Sequence, residues 1–504
     1  MPPQAVTLLA PSDPVLRRVV LGLGVLAVVA LVAAPVPGLL DARDRAAAAD
    51  VEAARDTVRP MAGNGEVPEL DGDLLSARRI GEDLAMPVRA DRVTAAGEAL
   101  QPALGVGEPG CIVVRLDGRT IARAGTTEPL IPASVQKVLT AAAVLEVVGA
   151  DERFVTQFWG PAPVDGVVDG DVHVLGGGDP MLAEQRYADS YRRQPQILTP
   201  VDQLPGLLRA AGVERIAGDL VVHDGRYDDV RYVTTWPQRY FDQHNAGPAG
   251  ALTVNDGFTE WDPGRVEADD PALYAAATMR SVLAADGISL GGVRRAGDTA
   301  LPTGEGAMLL AEMESDTVGV IVQQMLRESD NNTAESLLKE LGFRRDGIGS
   351  TLGGAEVVIE SLARRGLDVT GVVVTDGSGL DRGNLVGCDL LADVLDQFGP
   401  DSVLGEGLAV AAGTGTLAHR YGDSDVGGRL RAKTGLLNNV NALAGFVETL
   451  DGNTLTFVQL QNGVPLNSRE GLEAQDVLAE QLVAVAAGGT IEELVAAVEA
   501  LDAG

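Results

Sequence analysis

Apolar and polar positions alternate along this chain with several distinct rhythms. Val19–Leu40 runs 22 positions without a charge, directly after Arg17 and Arg18. That length suffices to cross a bilayer as a helix, and the arginine pair would stay cytoplasmic. The run reads as an uncleaved anchor, as a cleaved signal peptide (Ala33 and Ala34 suit a cleavage site, Pro35 does not), or as a buried core helix. Residues 41–85 lose all sustained apolar period and read as a linker, with folded structure expected from about Met86.

Beyond that point the pattern tightens. Cys111–Leu116 and Thr120–Ala124 predict two short strands, and Asp117-Gly118 between them is a hairpin signal. Val138–Val148 is apolar almost all round, follows Pro132 and ends at Gly149, so it predicts a buried helix. Residues 161–267 change to short strands rich in Gly and Pro, such as Asp171–Leu175 and Gly218–His223. Helical spacing returns at Pro271–Gly287, Thr317–Arg327, Thr333–Leu341 and Ala355–Arg365. Arg429–Thr434, Val440–Thr449 and Leu455–Gln461 predict late strands, the last two joined at Asp451-Gly452-Asn453. Early strands, a helical middle and late strands predict an α/β (α+β) fold with one antiparallel sheet closed by both chain ends. The expected organisation is an anchor or signal at 1–40, a linker at 41–85, and a main domain from 86–160 and 268–490. A smaller β-rich domain is inserted at 161–267, and 491–504 form a tail.

Charge and composition narrow the function. Lys and Arg number 39 against 72 Asp and Glu, a net charge of −33. Such a surface repels a phosphate backbone and anionic lipid alike, which argues against nucleic-acid partners. Two cysteines, Cys111 and Cys388, exclude a four-cysteine metal site; whether they pair outside the cytoplasm, spacing alone does not decide. The four histidines show no zinc-hydrolase spacing and read as surface or capping residues. Gly22-Leu23-Gly24 loosely mimics a dinucleotide loop, but no strand precedes it. No metal or cofactor is expected.

Three short motifs carry the candidate chemistry. In Ser134-Val135-Gln136-Lys137, a serine opening the predicted helix has a lysine one turn on, on the same face. A hydroxyl needs a base to become a nucleophile, and a lysine of depressed pKa is such a base; an N-cap serine beside a solvated lysine is the plain alternative. Ser329-Asp330-Asn331 lies between two predicted helices and reads either as a cap or as a second hydroxyl with a substrate-holding amide. Lys433-Thr434-Gly435 ends a predicted strand. It reads as a cleft-lining grip for a carboxylate, with Gly435 letting substrate backbone approach, or as an edge-strand gatekeeper. Asp376-Gly377-Ser378-Gly379 lacks the spacing of a nucleophile elbow and reads as a turn lining the cleft.

In this order the three motifs resemble the serine penicillin-recognising enzymes. More narrowly, the chain resembles the D-alanyl-D-alanine carboxypeptidase/endopeptidase family of class C low-molecular-mass penicillin-binding proteins (peptidase family S13). Leu175-Gly176-Gly177-Gly178-Asp179-Pro180, Ala251-Leu252-Thr253-Val254-Asn255 and Gly413-Thr414-Gly415-Thr416-Leu417 add to the likeness. The 195-position separation of Ser134 and Ser329 sets it apart from class A β-lactamases. The resemblance implies a β-lactamase/transpeptidase-like domain with one inserted domain, and a serine-type D-Ala-D-Ala carboxypeptidase outside the cytoplasm, held to the membrane by its N-terminal segment. Peptidoglycan stem peptides would be its substrate and β-lactams its inhibitors.

It also implies Ser134 as nucleophile, Lys137 as base, Ser329 with Lys433 as proton relay and Asn331 as substrate holder. Thr434 would bind the substrate carboxylate, and the backbone N–H groups of Ser134 and Leu436 the oxyanion. Leu436 departs from the hydroxyl residue usual at its position, which weakens the expected carboxylate grip. A β-lactamase or esterase on the same scaffold, and a non-catalytic wall-binding protein, are the competing readings.

Overall fold

A computed structural model describes residues 109–297, 306–450, 452–463 and 469–484. The run Val19–Leu40, the linker 41–85, the fold start near Met86 and the tail 491–504 lie outside them. Among the described residues no helix is long and apolar enough to cross a membrane.

β1 (Gly110–Leu116) and β2 (Arg119–Gly125) form the expected hairpin, with Asp117 and Gly118 both at positive φ in its turn. Late in the chain come β8 (Ala409–Val410), β9 (Leu430–Leu437), β10 (Val440–Glu448) and β11 (Thr454–Asn462). They build one antiparallel sheet in the order β8-β9-β10-β11-β1-β2, so the two ends of the domain do close on each other. Alternation along the strands assigns the two faces. Val113, Ala442, Ala444, Phe446 and Val458 pack on helices α1 (Gln136–Val147), α3 (Val318–Glu328), α4 (Asn331–Asp346), α5 (Thr351–Arg364) and α6 (Cys388–Phe398). Ile112, Val114, Leu443, Val447 and Phe457 face α7 (Arg469–Ala484) through Leu478 and Leu482. α1 is the centre of the helical layer, its residues from Gln136 through Val144 all buried, because a helix apolar all round has no face to offer water. Cys111 and Cys388 form a disulfide that ties β1 to the first turn of α6, 277 positions away.

Between α1 and α3 the chain builds a second unit with its own core. β3 (Arg153–Pro161) leads out and β7 (Ala307–Thr317) leads back, paired antiparallel. With β4 (Val172–Leu175), β5 (Leu220–His223) and β6 (Val293–Arg295) they form a mixed sheet in the order β6-β5-β4-β3-β7. Its core is closed by the helices Leu204–Ala210 and α2 (Pro271–Ala285), so the unit is α/β rather than β-rich. The sheet also extends beyond 161–267 at both ends. The Gly- and Pro-rich composition marks its loops, whereas its two longest strands lie largely outside that stretch and pair with two shifts of register. His173 and His223 depart from the surface reading: they sit on neighbouring strands with ring nitrogens 2.8 Å apart, and His173 is buried.

The stretch after β5 does not stay with that sheet. It returns to the main domain, where Arg226 meets Glu340, Thr235 meets Asp381, and Gly247 N donates to Asn332 Oδ1 at 3.0 Å. This return segment forms one wall of the site described next.

Candidate active site

Ser134 lies in a single 3-10 turn, Ala133–Val135, that feeds directly into α1. It therefore precedes the helix proper instead of opening it, and Lys137 still stands on its face. Ala133 has φ 47, a conformation costly to a residue with a Cβ, and is wholly buried. Two glycines clamp that turn. A Cβ on Gly379 (φ +81) would overlap the Ala133 carbonyl, and one on Gly435 would come within 2.7 Å of the Pro132 carbonyl oxygen. Gly435 thus serves to seat β9 against the serine turn.

Lys137 is fully buried. Its Nζ donates to Asn331 Oδ1 at 2.7 Å, to the Ser378 carbonyl at 2.7 Å and to Ser134 Oγ at 3.3 Å. All three acceptors are neutral. Burial pulls the ammonium down to about 8, although the carboxylates of Asp376, Glu335 and Asp330 oppose the shift from further off. A lysine so placed holds a serine hydroxyl and can lose its own proton near physiological pH.

The Ser329-Asp330-Asn331 motif divides its labour. Asp330 is the helix cap that the plain reading expects: its carboxylate accepts from Thr333 N at 3.2 Å at the start of α4. Ser329 ends α3 in the left-handed conformation, φ 62 and ψ 40. Asn331 takes Lys137 on its oxygen, and its Nδ2 donates to the Asn245 carbonyl at 2.7 Å. Ser329 and Asn331 open onto a cavity of 420 Å³ that is also lined by Ser190–Arg193 and Gln196 of the inserted unit.

Lys433 is also fully buried, its Nζ donating to the Thr434 carbonyl at 2.9 Å. Burial lowers its pKa well below the ordinary lysine value, and the positive charges of Lys137 and Arg193 push the same way. Thr434 Oγ1 donates to Thr416 Oγ1 at 2.9 Å, and Leu436 is 62% exposed. On its outer side β9 pairs with β8 only at Arg431 and Ala432, so among the described residues the edge from Lys433 to Leu437 has no strand neighbour there. Ser134 and Asn331 are joined through Lys137 by direct hydrogen bonds, and β9 sets Gly435 against the turn that carries Ser134 and sets Lys433 within electrostatic reach of Lys137. Leu436 follows on the same open edge.

Beneath these groups lies a buried acidic layer that residue patterns did not single out. Glu335 accepts from Ser378 N at 2.8 Å and Gly377 N at 3.2 Å, holding the loop whose carbonyl holds Lys137. Burial raises its carboxyl to about 8. Asp376 accepts from Trp236 Nε1 at 2.8 Å, Asn384 Nδ2 at 2.7 Å and Gly379 N at 2.7 Å. Glu335 stands four positions after Asn331, one helical turn on, and that spacing was the available signal. Trp236 and Asn245 belong to the return segment, and nothing in their order along the chain points to the site. Among the described residues no group of three His, Cys, Asp or Glu side chains is placed to hold a metal ion.

The chain is similar to known proteins in sequence and fold. The model of the D-Ala-D-Ala carboxypeptidase 3 (S13) family matches residues 94–265 and 260–485. The carboxypeptidase DacB of Mycolicibacterium smegmatis is 31% identical over 411 residues, covering 78% of this chain and 85% of its own. A D-alanyl-D-alanine carboxypeptidase from an Actinomadura species is 28% identical over 431 residues, 70% of this chain and 77% of its own. The crystal structure of penicillin binding protein 4 from Haemophilus influenzae shares the fold, with a TM-score of 0.64 at 23% identity over 77% of this chain and 99% of that one.

Proposed function

The chain belongs to the D-Ala-D-Ala carboxypeptidase 3 (S13) family, and from that premise we propose that its cleft hydrolyses the terminal D-Ala–D-Ala bond of peptidoglycan stem peptides. It is a serine-type carboxypeptidase working through an acyl-serine. Ser134 Oγ attacks the carbonyl of that bond while Lys137 Nζ takes the hydroxyl proton. The N–H groups of Ser134 and Leu436 receive the oxyanion, and the free edge of β9 receives the peptide as an added strand. Collapse breaks the C–N bond, and Ser329, backed by Lys433, delivers a proton to the departing D-alanine amine. Asn331 keeps one N–H for the substrate carbonyl, its other groups being engaged by Lys137 and Asn245. Water then frees the acyl-enzyme. A β-lactam opens in the same attack, but its amine stays tethered and shields the ester.

One observation carries this reading: a buried lysine whose hydrogen bonds go only to neutral acceptors, one of them the serine hydroxyl. Incubating the full chain with a fluorescent penicillin tests it. A long-lived label on the wild type, absent from Ser134→Ala, is the expected result. Rapid release of label would make the protein a β-lactamase, and no label would make it a non-catalytic binder.

The same reading places the enzyme outside the cytoplasm, anchored by Val19–Leu40. The Cys111–Cys388 disulfide supports an oxidising compartment, and the uncharged length of that run supports an anchor. Fractionation of cells making the full chain, with and without residues 1–40, tests the anchor: membrane recovery of the first alone is expected.

A further inference from the structure

A carboxypeptidase must recognise a free C-terminal carboxylate, and in this cleft the hydroxyls next to the oxyanion site supply few donors for it. Leu436 has none, and the hydroxyl proton of Thr434 is engaged by Thr416. Lys433 is buried against the Thr434 carbonyl. The carboxylate travels with the departing D-alanine, so it lies on the Ser329 and Lys433 side of Ser134.

Arg193, from the inserted unit, stands on that side. Its Nε donates to the Glu328 carboxylate and its Nη2 to the Glu328 carbonyl at 3.2 Å, and Glu328 is the residue before Ser329. Nη1 has no hydrogen-bond partner among the described residues, and the side chain is 38% exposed, so it has not been buried out of reach. Arg193 lines the 420 Å³ cavity onto which Ser329 and Asn331 open. Its charge is felt at Lys433, which places it within electrostatic reach of the second lysine.

The charge balance there favours an anion. Glu328 is shared by two guanidiniums, those of Arg193 and Arg327, so one positive charge is left over. The other acids of the cavity are already engaged: Asp330 caps α4, and Asp256 takes the hydroxyls of Tyr187 at 2.7 Å and Tyr191 at 2.6 Å. The cavity is lined by Arg192, Arg193 and Arg265 against Asp256, Glu328 and Asp330, a balance richer in base than that of a chain with 72 acids against 39 bases.

Building on the carboxypeptidase reading, we propose that Arg193 is the specificity residue that binds the substrate's C-terminal carboxylate, replacing the hydroxyl that Leu436 lacks. A guanidinium suits the task because it is always charged and presents parallel N–H groups to two carboxylate oxygens.

The test compares the full chain with Arg193→Ala and Arg193→Lys on a peptide ending in D-Ala-D-Ala and on its C-terminal amide. Loss of one charge-assisted hydrogen-bonded contact predicts that Arg193→Ala lowers kcat/KM for the free acid roughly 10- to 100-fold. The amide, with no carboxylate to hold, is expected to change less than about threefold, and Arg193→Lys to recover part of the acid preference while serving as the folding control. An alanine variant that keeps the wild-type preference for the acid overturns the proposal, as does one that loses both substrates equally while the lysine variant keeps both. A wild type that hydrolyses neither peptide and takes no penicillin on Ser134 overturns the carboxypeptidase reading itself, a different result from the first two.

Discussion

Lys137 and Lys339 are buried to 1% exposure or less, and both belong to the neighbourhood of α4, yet they do opposite things. Lys339 ion-pairs with Asp228 and donates to the Val230 carbonyl at 2.6 Å, both from the return segment of the inserted unit. Burial lowers its pKa, the bonded carboxylate of Asp228 opposes that fall, and the ion pair acts as a tie. Lys137 has the same burial and no carboxylate in hydrogen-bond contact; its partners are an amide oxygen, a backbone carbonyl and a hydroxyl. Desolvation without a bonded counter-charge is what turns a buried lysine into a base. The sequence contains only three lysines, at 137, 339 and 433, against 36 arginines. All three are buried, where a compact ammonium fits and a guanidinium, which does not deprotonate, could not serve as a base.

The sharpest way to break the comparison is to remove each lysine in turn. Lys137→Met is expected to slow acylation by a penicillin at least about 10³-fold while costing less stability than the loss of Lys339, since the serine loses its base but no bonded carboxylate is left unpaired. An acylation rate within tenfold of wild type would assign the base elsewhere. Lys339→Met reverses the pattern. It leaves Asp228 without its partner, and because that carboxylate is 27% exposed the expected cost is about 2–3 kcal/mol of unfolding free energy, below that of a fully buried pair. Acylation of the folded fraction should stay within about threefold. Equal losses of activity and stability in both variants would erase the distinction.

Smaller effects sharpen it further. Adding Asp228→Val to Lys339→Met removes the stranded charge, so denaturant titration should return about half of the lost stability. Asp376→Asn acts on the other lysine from a distance. The Asp376 carboxylate opposes the fall in the Lys137 pKa, so removing its charge should move the acid limb of the acylation rate to lower pH. A shift to higher pH would contradict the sign.

The fold was largely legible because periodicity follows packing. β1, β2, α1 and the late strands lie within a few residues of where their patterns predict them, and the pairing of β1 with β11 follows from strands gathered at both ends of the domain. Ser134, Lys137, Asn331 and Lys433 were legible because each motif couples a reactive group to a particular element. Arg193, Trp236 and Asn245 were not, since they reach the cleft from an insertion whose path is set by tertiary contacts. Asn245 contributes a backbone carbonyl, which any residue type carries. The positive φ values of Ala133 and Ser329 were hidden for a related reason: neither residue type favours that conformation, and the surrounding packing imposes it. The paired histidines show the converse, for His173 and His223 share a hydrogen bond through strand register alone.

The measurement closest to the central claim is the single-turnover rate at which a penicillin acylates the full chain as a function of pH. If Lys137 is the base for Ser134, the rate rises with pH as its ammonium loses a proton and levels off with a midpoint near 8. A rate flat across that range, or one still climbing toward the ordinary lysine value of about 10.4, would contradict it.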